Sequence, residues 1–163
     1  AVALDFPQGT VVIAGVEDPY FGLGDRAALR VGDDRASYRR RLAAVAQKTD
    51  ELVRSVSGER TVLFTLLLAH RPEYVKDYVQ YDFDVILAGH AHGGQWRFPP
   101  FINGLYAPGQ GMFPKYAGGK YVLKNNARSV MIVSRGLSYQ QPKVVRIFNN
   151  PELTLVRVIP IVK

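Results

Sequence analysis

The sequence predicts an α/β fold, and three observations support this prediction. Short apolar stretches rich in Val, Ile and Leu recur along the chain and are bounded by Gly, Pro or charged residues, which is typical of strands. A long helical pattern lies between the first two stretches, and a shorter one lies between the second and the third. Because strands that alternate with helices form α/β layers, we expect a helix-covered sheet in a single domain of 163 residues.

The predicted strands share a high content of β-branched and apolar residues. The second stretch, within "TVLFTLLLAH", is apolar almost continuously, as expected of a strand that is covered on both faces. The last two stretches follow a Gly- and Pro-rich segment and are expected to be antiparallel, with polar outer faces. The five predicted strands are Thr10–Ala14, Val62–Ala69, Val85–Ala88, Val130–Ser134 and Leu153–Ile159.

Two helices are expected. From Ser37, apolar residues recur at helical spacing as far as Val56, with Ser37 as the N-cap and Gly58 as the stop. A shorter helix is expected over residues 73–79, begun by the proline of "HRPEY". The "RRR" at 39–41 is interpreted as a solvated helix face, with nucleic-acid contact as the weaker alternative.

Composition sets limits on the function. The chain has no cysteine, which excludes disulfides and thiolate metal sites. Its net charge of +7 favours anionic partners, although a piece whose acidic part is missing would look equally basic. No apolar run approaches the ~20 residues of a membrane span. Since "AVALDFPQGTVVIAG" is strand-like from its first residues, we expect the chain to begin inside a larger protein.

The three histidines stand at the ends of predicted strands. His70 ends "TVLFTLLLAH", while His90 and His92 follow "DVILAG". Because ligands of open α/β sheets collect at the carboxyl ends of the strands, we expect the three imidazoles at one edge. Imidazole binds Mn, Fe, Zn and Ni, so together they predict a metal site. Alone, His70 fits a hydrogen-bonded structural role better, and the spacing does not give the reaction.

Longer motifs give a resemblance to a known family. "LLLAHRPEY" followed by "DVILAGHAHGGQWRFP" resembles the C-terminal half of the calcineurin-like metallophosphoesterases, in the bacterial branch whose last metal motif reads Gly-His-x-His-Gly-Gly-Gln. "VVIAGVEDPYFG", "YAPGQGMFP", "MIVSRGLS" and "RIFNNPELTLVRV" extend the resemblance over essentially the whole chain. It implies the C-terminal half of a four-layer α/β/β/α sandwich with mixed sheets, in which the N-terminal half of the domain is absent.

The resemblance also implies a binuclear metal site. In that family two divalent metals, from among Mn, Fe, Zn and Ni, bridge a hydroxide that attacks phosphorus. His70 and His90 would bind one metal and His92 the other. Three further residues would lie near the substrate, at the rim of the site: Gly93, Gly94 and Gln95.

The departure from the family is as informative as the resemblance. The family's first half carries an Asp-x-His motif, a Gly-Asp motif with a bridging aspartate, and a Gly-Asn-His motif with a catalytic acid. None of these motifs is found here, because the aspartates, such as Asp18, Asp82 and Asp84, stand in other contexts. Three neutral imidazoles do not offset the repulsion between two cations. We therefore expect no catalytic residue in this chain, partial or no metal occupancy, and no activity of the isolated chain.

Two functions follow as hypotheses. The first is the C-terminal portion of a metal-dependent phosphoesterase that hydrolyses phosphomonoesters or phosphodiesters when complete. The alternative is a non-catalytic α/β module that binds a ligand or partner. The expected substrate is a phosphorylated small molecule or lipid, and the longer protein would be cytoplasmic or associated with a membrane surface. Nucleic acid is not expected, since only charge and a few tyrosines favour it.

Two further expectations concern surfaces. Without the N-terminal half, sheet edges and apolar faces would be exposed, so we expect the chain to self-associate or exchange strands. The segment from Trp96 to Tyr121 is the candidate specificity loop, because it follows the metal motif directly. Its aromatic residues would either contact substrate or form a local packing cluster: Trp96, Phe98, Phe101, Tyr106, Phe113 and Tyr116.

Overall fold

The computed structural model describes residues 1–18, 35–98, 100–124, 129–138, 140–141 and 144–159. It is an α/β structure built on a mixed six-stranded sheet in the order β1-β2-β3-β4-β8-β7, with two small two-stranded ribbons, β5-β6 and β9-β10. The strands are β1 (Val2–Phe6), β2 (Gly9–Gly15), β3 (Val62–Leu68), β4 (Val85–Ala88), β5 (Tyr106–Ala107), β6 (Gly111–Met112), β7 (Gly119–Val122), β8 (Val130–Val133), β9 (Gln140–Gln141) and β10 (Val144–Val145).

The four inner strands of the sheet, β2, β3, β4 and β8, are parallel, and the two edge strands β1 and β7 are antiparallel to their neighbours. Parallel neighbours need a crossover connection, and the long helix α1 (Arg35–Ser57) supplies it between β2 and β3. The expected strand–helix–strand–short helix–strand order is therefore confirmed. The expected antiparallel ending is wrong, because β8 is parallel to β4 and its antiparallel neighbour is β7, a strand that the sequence did not predict.

Helix α1 packs one stripe of side chains on the sheet. Tyr38, Leu42, Ala46 and Thr49 are buried at helical spacing, and the helix ends one residue before the expected stop. Ser37 is not the N-cap, because it lies inside the helix, where its hydroxyl accepts a hydrogen bond from Arg41 at 3.3 Å. The residue that precedes Arg35 is outside the described residues.

The short helix is divided into two turns. A 3₁₀ turn (Pro72–Tyr74) leads into α2 (Val75–Tyr78), close to the expected bounds. The buried Asp77 accepts hydrogen bonds from Arg35 and from Arg39, at 3.0 and 2.8 Å in the ion pairs. Part of the "RRR" face is thus a structural anchor. No helix in the described ranges is both long and apolar enough to cross a membrane.

The two faces of the sheet differ in cover. On the face that packs against α1 and α2, which we call the helix-covered face, Leu67, Ile86 and Met131 are aligned across three strands and fully buried. We call the other one the open face. It carries the aligned row of Leu66, Val85 and Val130, which are only half-buried. The strand pattern that predicted cover on both faces is therefore met on one face of the described structure.

The last predicted strand is wrong. Residues 153–159 run beside the open face without joining a sheet, and the described residues give their backbone no hydrogen bond to another backbone group. They border a groove of about 820 Å³ whose other wall includes Val85, Val130 and Ile132. Alternation of apolar residues favours an extended chain, but a strand also needs a neighbour with free backbone groups. Leu153 and Leu155 accordingly remain 83% and 94% exposed.

Candidate functional site

All four parallel strands send a polar residue to the carboxyl edge of the sheet. Asp18 follows β2, His70 follows β3, His90 follows β4 and Arg135 follows β8. Because these strands are parallel neighbours, the four connections leave at the same edge. The parallel sheet therefore brings the histidines to one shared edge, where the sequence predicts them.

His70 and His90 are in direct contact. His70 Nε2 and His90 Nδ1 are 3.1 Å apart, and the ring centroids are 4.8 Å apart. The backbone supports this pairing, since the amide of Gly89 donates to the carbonyl of His70 at 3.1 Å. Two imidazole nitrogens bound to one tetrahedral zinc are about 3.3 Å apart, given Zn–N distances of about 2.0–2.1 Å. The observed spacing suits either a hydrogen bond or two ligands of one cation.

Burial keeps the histidines of β4 neutral. It lowers the pKa of His90 to about 4, with smaller contributions from the positive charges of Arg71 and of His70. Burial followed by the charge of Arg146 also lowers the pKa of His92. In the described structure, the Nε2 atom of His90 is buried without a hydrogen-bond partner. A neutral ring is the form that metal ligation requires.

The backbone that carries the histidines is strained. His90, His92 and Gln95 have positive φ values of 60°, 47° and 59°, and Gly93 and Gly94 between them have 67° and 72°. A positive φ is uncommon outside glycine and costs on the order of 1–3 kcal/mol per residue. Such strain persists only where neighbouring structure imposes it, and it concentrates at functional sites.

Asn149 is the residue that imposes this turn. Its amide donates to the carbonyl oxygens of His92 at 2.7 Å and of Gln95 at 3.0 Å, and Asn149 itself is only 2% exposed. A side chain at Gly93 would collide with Asn149, because its Cβ would lie 2.3 Å from Oδ1. At Gly94, a Cβ would lie 2.4 Å from a backbone atom of Gly104. Both glycines are therefore required by close packing.

The predicted rim residues are buried in this turn. Gly93 and Gly94 have no exposed surface of consequence, and Gln95 is 2% exposed. Their part in binding substrate stays a prediction. The local reason for the sequence Gly-Gly-Gln is structural, since it provides the left-handed turn after His92.

Asp18 joins the site although sequence reasoning set it aside. Its Oδ2 atom is 3.7 Å from Nε2 of His70, and it accepts a hydrogen bond from Nε of Arg71 at 3.1 Å. Arg71 also pairs with Glu73 at 3.3 Å and is largely buried. The signal that would have found Asp18 is its position just beyond β2, which matches that of His70 beyond β3.

His92 faces an arginine from the end of the chain. Nη2 of Arg146 is 3.3 Å from Nδ1 of His92. Because a guanidinium only donates, Nδ1 accepts, and the proton of the neutral ring is then on Nε2. A metal at Nε2 would therefore require this hydrogen bond to break. Sequence reasoning missed Arg146 and Asn149, which both belong to the "RIFNN" stretch 54 or more residues beyond His92.

A complete metal centre is not formed by the described residues. No group of three or more His, Asp or Glu side chains in the ranges above is arranged to hold a metal ion. His70 and His90 fit one half of a coordination sphere, while Asp18 is engaged by Arg71. The three histidines as metal ligands therefore stay a prediction, and we derive no reaction step through a metal.

The candidate specificity loop contains the short strands β5 and β6 and the first residues of β7, and it packs only in part. Phe98 stacks edge-on against Phe148 at 5.5 Å, and Tyr116 against Tyr121 at 5.0 Å. In contrast, Phe101 is 90% exposed. Some rings of this segment therefore form a local packing cluster, whereas others face solvent and are free to contact a substrate. Both roles expected from the sequence stay possible for different residues.

Comparison with known proteins gives one informative similarity. The chain is 35% identical over 98 residues to an uncharacterized metallophosphoesterase of Campylobacter jejuni. The similarity covers 55% of this chain and 22% of that protein, so the chain matches about a fifth of the relative's length. No family model and no solved structure matches the chain. The similarity supports a relationship to metallophosphoesterases in general.

Proposed function

We propose that this chain supplies part of the active centre of a metal-dependent phosphoesterase, which hydrolyses phosphomonoesters or phosphodiesters. The single observation that carries the proposal is the contact of His70 with His90, whose facing nitrogens are 3.1 Å apart at the carboxyl edge of two parallel strands. Similarity to a metallophosphoesterase supports the same reaction class. The complete enzyme would combine these residues with further ligands.

The proposed ligands are His70 and His90 for one divalent metal and His92 for a second. Bound metals of the Mn, Fe, Zn or Ni type would lower the pKa of a water and clamp phosphate oxygens. The chain's own contribution is to hold neutral imidazoles in a fixed orientation. Asn149 does so by fixing the carbonyl of His92, and the Arg71–Asp18 pair does so beside His70.

The proposal extends to the fold. We place a second mixed sheet against the open face, which would complete a four-layer α/β/β/α sandwich. The half-buried row of Leu66, Val85 and Val130 supports this, as does the extended segment at residues 153–159. A second sheet would give that segment the backbone partners that a strand requires.

The proposed substrate is a phosphorylated small molecule or lipid. A net charge of +7 favours an anionic substrate or an acidic membrane surface, where the longer protein would act. The exposed Phe101, beside the candidate site in sequence, would suit an apolar part of such a substrate. Nucleic acid is not part of the proposal.

The test is metal content by elemental analysis of the purified chain, followed by hydrolysis of bis(p-nitrophenyl) phosphate. His90→Asn and His92→Asn remove the imidazoles but tolerate a positive φ, so the turn is retained. Lys48→Asn, on the exposed side of α1, is the matched control. At a molar excess of metal, we expect partial, weakly held Mn, Fe or Zn in the wild type and in the control, and none in both histidine variants.

Two outcomes would contradict the proposal. A folded wild-type chain that binds no Mn, Fe or Zn even at a large molar excess would favour the non-catalytic binding module instead. Metal content that is equal in the wild type and in the histidine variants would place the metal elsewhere. Hydrolysis is expected only from the longer protein, where its disappearance with His90→Asn would support the phosphoesterase assignment directly.

A further inference from the structure

We propose that Arg146 is an anion-binding residue of this site, and that its guanidinium holds a phosphate oxygen of the substrate beside His92. This inference rests on the proposed function and adds to it a residue that recognises the substrate. It starts from geometry, because Nη2 of Arg146 is 3.3 Å from Nδ1 of His92, although the two residues are far apart in sequence.

The strand-like segment that carries Arg146 is fixed to the histidine turn. Ile147 forms a parallel bridge with Trp96, its amide donates to the carbonyl of Gln95 at 3.2 Å, and its carbonyl accepts from the amide of Arg97 at 3.0 Å. Asn149 then holds the same turn through two further hydrogen bonds. These hydrogen bonds therefore fix the backbone that carries Arg146 at a defined position beside His92.

The guanidinium of Arg146 is anchored but not neutralised. Nη2 donates to the carbonyl oxygen of Arg135 at 2.6 Å and lies 3.4 Å from that of Gly136. In the described part of the chain, no carboxylate forms an ion pair with Arg146, and its buried Nη1 atom has no hydrogen-bond partner. Carbonyl oxygens orient a guanidinium without cancelling its charge. The unpaired donor is what a phosphate oxygen would accept from.

Neighbouring charges increase the attraction for an anion. Arg135 pairs with Glu152, whose Oε2 accepts from Nε at 2.8 Å. Burial, and after it the charge of Arg135, lower the pKa of Arg97 and of Arg146. Among the described residues, Glu152 is a nearby carboxylate of Arg97 and Arg135, and it forms no ion pair with Arg146. The excess positive charge favours a dianionic group such as a phosphate monoester.

The test uses the metal-free chain in a chelator, with inorganic phosphate as the probe and calorimetry as the readout. Arg146→Gln removes the guanidinium, and Arg146→Lys keeps the charge but loses the fork of donors. Arg54→Gln, in the last turn of α1, removes the same charge at an exposed position. At constant ionic strength, we expect Arg146→Gln to weaken phosphate binding at least about tenfold, Arg146→Lys to be intermediate, and Arg54→Gln to stay within about twofold.

The inference is overturned if phosphate binds equally to Arg146→Gln and Arg54→Gln, or if the wild type does not bind phosphate. Should Arg146→Gln fail to fold, a second measurement on the wild type decides. The Nε–H resonance of Arg146 must shift on titration with phosphate and not with chloride, and an unmoved resonance overturns the inference. Because these measurements need no metal, they fail independently of the metal-content test.

Discussion

The helix-covered face and the open face of the sheet are built from the same strands and both carry apolar residues, yet the described part of the chain closes only the first of them. Leu67 is fully buried under the helices, whereas Leu68, the next residue of β3, is 45% exposed on the other side. The difference cannot come from strand propensity, because both side chains are leucine in one strand. It comes from what packs against each face.

This difference shows which face of the sheet has a fully packed core. Tyr38 and Leu42 of α1 and Tyr78 of α2 close the helix-covered face, and the hydroxyl groups of Tyr38 and Tyr78 hydrogen-bond to each other at 2.9 Å. Tyr78 also donates to the carbonyl of Arg71 at 2.7 Å. The closed face thus connects the core to the carboxyl edge beside His70. Among the described residues, the extended segment 153–159 lies beside the open face and joins no sheet.

The largest expected effect separates the faces directly. Leu67→Ala should lower the free energy of unfolding by about 2–5 kcal/mol, because it leaves a cavity in the closed core. Leu68→Ala, the matched change in the same strand, should cost about 1 kcal/mol, since much of that side chain is exposed already. Urea unfolding of the two variants, at a concentration low enough to keep the chain monomeric, measures both values. Equal losses would mean that the open face is covered in solution.

The second prediction asks what covers the open face. Self-association, which was expected from the sequence, stays a prediction, and a second copy of the chain is the occupant we expect there. Leu68→Lys should raise the dissociation constant of the self-associated form at least about tenfold, or about 1.4 kcal/mol. Sedimentation velocity at several concentrations measures the shift. Ala44→Lys, an exposed change on α1, is the control, and a wild type that stays monomeric at every concentration contradicts the prediction.

The sequence predicts the closed part of the molecule better than the open part. The spacing of apolar residues, and the Gly, Pro or charged residues that bound each stretch, predicted the bounds of β4 and nearly all of β2, β3 and α1. These elements could be predicted because their packing partners lie within the chain. The strand expected at residues 153–159 does not form, since its local pattern was correct but its neighbour is not among the described residues. The edge strand β7 was not predicted, because it lies in a segment dense in Gly and aromatic residues.

The candidate site, like the fold, could be predicted only in part. The contact of His70 with His90 follows from two adjacent parallel strands that each end in a histidine. Arg146 and Asn149 were not predictable, because hydrogen bonds over more than 50 residues leave no periodic pattern. Asp18 was set aside because its motif was wrong, although its place after β2 was right. Position on the fold therefore carried more information than motif at that residue.

A third prediction concerns the edge where the two faces meet. His90→Gly and His90→Ala both remove the imidazole and its contact with His70, but only glycine relieves the φ of 60°. His90→Gly should therefore be more stable than His90→Ala by about 1 kcal/mol. Thermal unfolding in a chelator measures the difference. If alanine were equally stable, the positive φ would not be a source of strain in solution.

The smallest expected effect concerns a carboxylate that is packed near the closed face. Burial raises the pKa of Glu73 above its usual value of 4.5, and the hydrogen bonds and charge of Arg71 offset this only in part. A raised pKa means that the folded chain binds the proton more tightly than the unfolded chain does. The stability that this carboxyl group contributes is therefore present below pH 4.5 and is lost as the pH rises through the folded pKa.

Glu73→Gln removes this dependence, so it should raise the melting temperature relative to the wild type, and by more at pH 7 than at pH 4. Melting curves at the two pH values measure the difference, with the exposed Glu59→Gln as the control for the loss of one charge. The opposite result, a variant that is less stable at pH 7, would show that pairing with Arg71 outweighs burial. In that case the Asp18–Arg71–Glu73 network would stabilise the closed face, and the packing beside His70 would depend on an ion pair as well as on the apolar core.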